Sequence, residues 1–523
     1  MSKQCEGDVE GKKNHRMGNA LVVTAFIVLL CGILFQDHLS KAIIANAGEI
    51  DGTESVEATE EAEMTAVEST SEVTDLEDAF SIILQGATRE YIAGYAVDEA
   101  FLMWVSSNYG REAILQLACG VIDGEMSVTD WDEVTGESIH VLWLRYCQDN
   151  GFMSYQLENV QWLDCKSEEE AVFSFTGDFN FAEDWDTTKY MDEQENGIYD
   201  CFSDDLLQLM NESDLMVVNN EFVYSDGGTP VAGKAYTFKA DLKRAELLHV
   251  FGTDLANLAN NHAYDYGDEG LCDTFEALNE ENIQYMGAGR DIAEASKIMY
   301  YVANGKKIAI VSATEIERYS NYTKEATADS SGVLKTLDPT LFLEVIKEAE
   351  VNSDYVIAMV HWGTEGNLFA DASQKNLARQ FVEAGADAII GGHPHRLQGA
   401  AFIGDVPVAF SLGNFWFTDA TLYTSVAQIV ISNNGDLQLK YVPCLQKDLT
   451  TSLITDTNEK GEFYNYLASI SYDLGIGEDG TIYHRNTEEF DSSVIYDSNT
   501  CITAVTGGQD NEGYTIDVVG IRK

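Results

Sequence analysis

At 523 residues, with 45% apolar and 11% aromatic content, the chain is long enough for about two to four domains with a sizeable core. Its formal net charge of −57 argues against nucleic acid as a partner, because a phosphate backbone would be repelled. The same charge disfavours any polyanion except where metal ions or basic side chains supply local positive potential, and Arg290 and Arg396 are the candidates for that role.

In chain order, residues 1–16 form a basic tail with Lys12, Lys13 and Arg16. The uncharged stretch 17–35 follows, nineteen residues long, enough to cross a bilayer core at about 1.5 Å per residue. Basic residues on its N-terminal side predict a single-pass signal-anchor with the body of the chain outside the cytoplasmic membrane. Ala45-Asn46-Ala47 offers a small-residue cleavage signal, but it lies well beyond the apolar run, so an uncleaved anchor is expected. Residues 36–78 read as an acidic, disordered linker, because Glu49 to Asp78 carries twelve acidic residues and no basic one.

Residues 79–165 are predicted to form a small helical domain. Val97, Phe101, Leu102 and Val105 recur at helical spacing, as do Ile114, Leu115, Leu117 and Ala118, with Gly110, Gly120 and Gly151 as stops. Nine cysteines are scattered without a C-x-x-C, so isolated thiols are expected rather than a disulfide framework.

From residue 171 to 445 one grammar repeats, an apolar strand ending in a polar residue. Phe173 to Thr176 runs into Gly177-Asp178. Leu215 to Val218 runs into Asn219-Asn220-Glu221, and Leu255 to Ala259 into Asn260-Asn261-His262. Tyr355 to Val360 leads to His361-Trp362-Gly363-Thr364-Glu365, and Ala386 to Ile390 to Gly391-Gly392-His393-Pro394-His395. Loops at the carboxyl ends of strands form the ligand crevice of α/β sheets, so these five ends are expected to converge on one edge. Pro394 biases His393 towards an extended conformation, in which residues i and i+2 face one way. Helices are expected from Tyr266-Gly267 to near Asn282, over 341–351 and over 373–384, and a hairpin around Asn433-Asn434-Gly435-Asp436. Residues 446–523 form a C-terminal extension to which no task is assigned.

A set of Asp, Glu, Asn and His without cysteine suits Mn, Fe or Zn bound through imidazole and oxygen. Six or seven such residues exceed the four of a closed structural zinc site, which points to two divalent ions clamping a phosphoryl or acyl oxygen.

The ordered motifs Gly177-Asp178, Asn219-Asn220-Glu221, Asn260-Asn261-His262 with Asp265-Tyr266-Gly267, Gly287-Ala288-Gly289-Arg290, His361 to Glu365, Gly392 to His395 and Ser411-Leu412-Gly413-Asn414-Phe415 resemble those of the CapA family. These are poly-γ-glutamate capsule synthesis proteins within the calcineurin-like metallophosphatase superfamily. The resemblance implies a four-layer α/β/β/α sandwich with a dinuclear metal site. It implies Asp178, Glu221, Asn261, His361, His393 and His395 as ligands and His262 as proton donor to a leaving group. Asn219, Arg290 and Arg396 are the candidate substrate contacts. The pattern departs from the family at Asn220, where leucine is usual, and at Phe179-Asn180, where metallophosphatases proper place a histidine. The expected function is a metal-dependent hydrolase acting on a phosphoester or on an anionic polymer such as poly-γ-glutamate, beside a membrane-bound polymer synthase. The alternative is a non-catalytic component of a polymer export or anchoring complex.

Overall fold

Strands buried on both faces read as unbroken apolar runs, and the ligand-bearing strands are of this kind. In the computed structural model, which describes residues 73–88, 92–124, 126–127, 129–152, 159–317, 322–485 and 494–498, Leu215–Asn220 sends Leu215 and Val217 to one core and Met216 and Val218 to another. Tyr355–His361 does the same, with Ile357 and Met359 on one side and Val356, Ala358 and Val360 on the other. Period-2 alternation therefore divides each strand between two hydrophobic layers.

Two sheets supply these layers. In the first, the order is Thr450–Leu453, Leu437–Lys447, Leu422–Ser432, Glu170–Phe179, Leu215–Asn220, Leu255–Asn257 and Gln284–Met286, with Asn414–Trp416 also paired to Glu170–Phe179. In the second it is Val160–Trp162, Met299–Ala303, Lys306–Thr314, Tyr355–His361, Ala388–Gly392, Val406–Ala409 and Ala400–Ile403. The ligand-bearing strands run parallel to one another within each sheet, such as Val217 beside Leu255 and Val360 beside Gly391, while Glu170–Phe179 is antiparallel to Leu422–Ser432 on its other side. Phe173, Val217 and Leu255 of the first sheet share one core with Ile310, Ile357 and Ile390 of the second. On the outer face of the first sheet lie helices Asp204–Asn211 and Gly267–Glu280 and the 3₁₀ segment Leu242–Phe251. Thr340–Asn352 and Ala372–Glu383 cover the outer face of the second. The layering is α/β/β/α. The five strand ends thus lie in two facing sheets rather than along one edge, since strand order depends on pairing between segments far apart in sequence.

Three domain boundaries shift. Helices Leu76–Gly86, Glu99–Tyr109, Arg111–Asp123, Asp130–Thr135 and Ile139–Asp149 share an aromatic-rich core. Asp75 caps the first of them through the Glu77 amide at 2.8 Å, so the end of the acidic stretch is helical rather than linker. Val160–Trp162, placed with the helical domain from sequence, is instead an edge strand of the second sheet. The module is tied to that sheet at Asp354, whose Oδ2 accepts from Ser138 Oγ and from the Lys307 amide, each at 2.6 Å. The boundary at 445 falls inside Leu437–Lys447, and helix Thr457–Ile470 contributes Phe463 and Leu467 to the inter-sheet core. The 17–35 segment and the 36–72 part of the acidic stretch lie outside the described residues. Among the described residues no helix is long and apolar enough to cross a membrane.

Candidate metal centre

Asp178, Asn219 and Glu221 come from adjacent strand ends of the first sheet, while His361 and the 391–395 loop come from the second. Close approach of neighbouring backbone at these strand ends requires glycine within each sheet. A Cβ on Gly177 would lie 1.9 Å from the Gly413 carbonyl oxygen, and one on Gly391 2.0 Å from that of Phe410. Gly392 sits against the centre itself, its Cβ direction 3.1 Å from Asp178 Oδ1.

The predicted ligands gather here. Carboxylate and imidazole atoms of Glu221, His361 and His393 lie within 4.8 Å of one another, as do those of Asp178, Glu221 and His395. His361 Nε2 is the crowded point, 2.7 Å from Asn261 Oδ1, 3.2 Å from His393 Nδ1 and 3.3 Å from Glu221 Oε1. His395 Nδ1 lies 3.1 Å from Asp178 Oδ2 and 2.8 Å from Asn414 Oδ1. Both histidines of the 391–395 loop face the centre, but not by the extended route. Their φ values are 98° for His393 and 54° for His395, so the loop turns through the left-handed region at each. Such backbone is strained for a side-chain-bearing residue by about 1–3 kcal/mol, and the surrounding contacts must hold it.

A cation fits this donor set. Glu221 is fully buried, and neither of its oxygens has a hydrogen-bond partner; Asp178 Oδ2 is likewise buried, with only the His395 ring nitrogen at 3.1 Å beside it. Uncompensated buried carboxylates are costly, and metal coordination is one of the few ways to offset them. Without a cation the protons rearrange. Burial, then the neighbouring Asp178, pushes the Glu221 carboxyl well above its ordinary range. Burial opposes charge on His395, yet Glu221 and Asp178 outweigh it and push the imidazole up to about 9. Burial pushes His361 down to about 3.

His262 stands beside the ligands. Its Nδ1 lies 2.7 Å from Asp265 Oδ2 and its Nε2 4.0 Å from Glu221 Oε1, so one nitrogen is anchored and the other faces the centre. Burial lowers its proton affinity to about 4, against the pull of Asp265. Asp265 also accepts from the Phe238 amide at 2.7 Å and from Lys234 Nζ at 2.6 Å, and Lys234 reaches the Asn261 carbonyl as well. In the sequence, Asp265 and Asn414 stand within motifs with no task assigned to them, and Lys234 lies in none.

The candidate substrate contacts fare differently. Asn219 is buried behind the ligands, donating to Asp178 Oδ1 at 2.6 Å and accepting from Asn257 Nδ2 at 2.9 Å, so it positions a ligand instead of meeting a substrate. Its strand-end location hid this, because Ser312 of the opposite sheet, 2.5 Å from Asn257 Oδ1, completes the chain. Arg290 pairs with Glu294 at 3.1 Å and lies over the Phe275 ring, with no contact to the ligand cluster. Arg396 donates to the carbonyl of His395 at 2.8 Å, next to the centre. Asn220 closes its turn by donating to the Phe222 carbonyl at 2.9 Å, which leaves Glu221 directed inward.

Residues 172–419 match the model of the bacterial capsule synthesis protein PGA_cap family. The PGA biosynthesis protein CapA of Bacillus subtilis (strain 168) is 32% identical over 216 residues, covering 40% of this chain and 56% of that protein. The capsule biosynthesis protein CapA of Bacillus anthracis is 32% identical over 223 residues, covering 41% and 53%. The matched region thus spans little more than half the length of either relative. A crystal structure of a hypothetical protein from Thermus thermophilus aligns with 52% of this chain and 99% of its own at 15% identity and a TM-score of 0.33.

Proposed function

We propose that the chain, whose residues 172–419 match the bacterial capsule synthesis protein family, is a cell-surface, metal-dependent hydrolase involved in the biosynthesis or processing of poly-γ-glutamate or a related capsule polymer. The observation that carries the reading is Glu221, a buried carboxylate with two unpaired oxygens amid His361, His393, His395 and Asp178. Glu221, His361, His393, Asn261, Asp178 and His395 would hold two divalent ions, Mn, Fe or Zn. When bound, such a pair supplies Lewis acidity towards a phosphoryl or acyl oxygen and activates water.

The chain's own residues do the rest. Asn219 fixes the Asp178 carboxylate, and Asn414 holds His395. Asp265 fixes the Nδ1 end of His262, leaving Nε2 to exchange a proton with the leaving group. An anionic substrate beside Nε2 raises the proton affinity that burial has lowered, so His262 charges when it is needed. The metallophosphatase-like layering and the anchored, extracellular placement on an acidic tether complete the reading, with a membrane-bound polymer synthase as its neighbour.

The test is metal analysis of the purified full-length chain with a hydrolysis screen over phosphoesters and poly-γ-glutamate. His393→Ala should lose metal and activity together. His262→Ala should keep its metal and lose roughly 10²–10⁴ in turnover. A wild-type chain that retains no Mn, Fe or Zn after desalting at neutral pH sinks the proposal. Metal-dependent polymer binding without turnover in any metal form would instead make the chain a component of an export or anchoring complex.

A further inference from the structure

The loop that carries Lys234 also carries Tyr236, 62% exposed although it stands in an aromatic cluster. Tyr236 lies 6.1 Å edge-on to Trp185 and 6.4 Å from Phe238, nearly parallel to it. Phe238 packs 4.3 Å from the His262 ring and 5.5 Å from Phe417, and Phe417 packs 4.7 Å from His395. A continuous aromatic wall therefore runs from the two imidazoles of the centre to solvent, and its outer ring is left uncovered. Trp185, half-buried, is held in place by donating its indole N–H to the Phe417 carbonyl. The wall starts at the proton-transferring His262, which places it on the side from which a leaving group departs.

We propose that Tyr236 and Trp185 form the subsite for a ring in the leaving group, so that the substrate is an ester whose anionic centre is attached to a sugar or aromatic ring. This rests on the hydrolase reading and narrows it. A flat ring face stacks on tyrosine and tryptophan, whereas an acyclic γ-glutamyl chain presents no such face. The solvent-facing side of the exposed Tyr236 ring leaves room for the hydroxyls of a sugar.

The probes are three phosphate esters titrated calorimetrically into the full-length chain loaded with Mn: glycerol 1-phosphate, glucose 1-phosphate and phenyl phosphate. The two ring esters should bind roughly three- to tenfold tighter than the acyclic one, the worth of one ring stack. Tyr236→Ala should abolish that advantage without changing the affinity for glycerol 1-phosphate, and Tyr236→Phe should retain it. Equal affinities in the wild-type chain, binding of none of the three, or an advantage that survives Tyr236→Ala overturns the subsite. A ring preference without hydrolysis in any metal form supports the subsite while defeating the hydrolase reading, and hydrolysis without ring preference does the reverse.

Discussion

Replacing Lys234 with methionine isolates the electrostatics behind His262. The Lys234 side chain is 6% exposed, and its ammonium bonds at 2.6 Å to Asp265, whose side chain is fully buried. Removing one partner of such a pair leaves an uncompensated charge, at a cost of about 3–5 kcal/mol. Asp265 keeps two acceptor contacts, to the Phe238 amide and His262, and the Asn261 carbonyl keeps the Thr323 hydroxyl at 2.7 Å. The lower end, about 3 kcal/mol, is therefore expected. Urea denaturation of the metal-free, full-length chain at neutral pH measures it, with chelator present so that metal linkage does not enter. Asp265→Asn removes the stranded charge, so the double variant should be less destabilised than the sum of the singles by about 1–2 kcal/mol. A Lys234→Met chain within about 1 kcal/mol of wild type, or strict additivity in the cycle, would show that the pair is already solvated and refute the argument.

Gly177→Ala forces a methyl into the Gly413 carbonyl, which belongs to backbone and cannot swing aside; about 2–3 kcal/mol of stability and most of the bound metal should be lost, and a variant with full metal content contradicts the close packing at this strand end. Asp387 is pushed up to about 6 by burial, despite accepting from the Val356 amide. A raised folded-state carboxyl favours the native state below its unfolded value near 4 and loses that contribution as pH rises towards 6, so Asp387→Asn should gain about 2–3 kcal/mol on wild type between pH 4 and pH 7. Denaturation curves at the two pH values decide it, and a constant difference disproves the assignment. Because His395 is pushed up to about 9 in the metal-free centre, loading at pH 7 should release about one proton. Calorimetry in buffers of different ionisation enthalpy reads this directly, and no buffer dependence would place the ligands elsewhere.

Much of the centre was legible because each ligand follows an apolar run closed by Gly, Asn or Pro, a local signal. Helix Ala372–Glu383 was equally readable, with Asp371 and Gln374 forming a capping box. The seam between two sheets was not, since nothing local in Tyr355–His361 says that its neighbours are Lys306–Thr314 and Ala388–Gly392. The φ values of His393 and His395 were hidden for a related reason: the Pro394 preference is weaker than the pull of the contacts that hold the loop. The surroundings of Asn219 and Arg290 were not legible, because polar residues after strands face substrate or scaffold according to what the rest of the chain brings up behind them. Lys234 and Tyr236 sit in a stretch whose Gly and Pro mark it only as a loop.

The split of ligands between facing sheets also sets an order of events. Asp178, Glu221 and Asn261 are synthesised well before His361, His393 and His395, and no subset reached early in translation encloses an ion. Any metal capture would wait until the second sheet has closed on the first. If the body is threaded across a membrane unfolded, the ions it acquires are therefore those of the compartment in which folding finishes, whatever metals dominate where it was made.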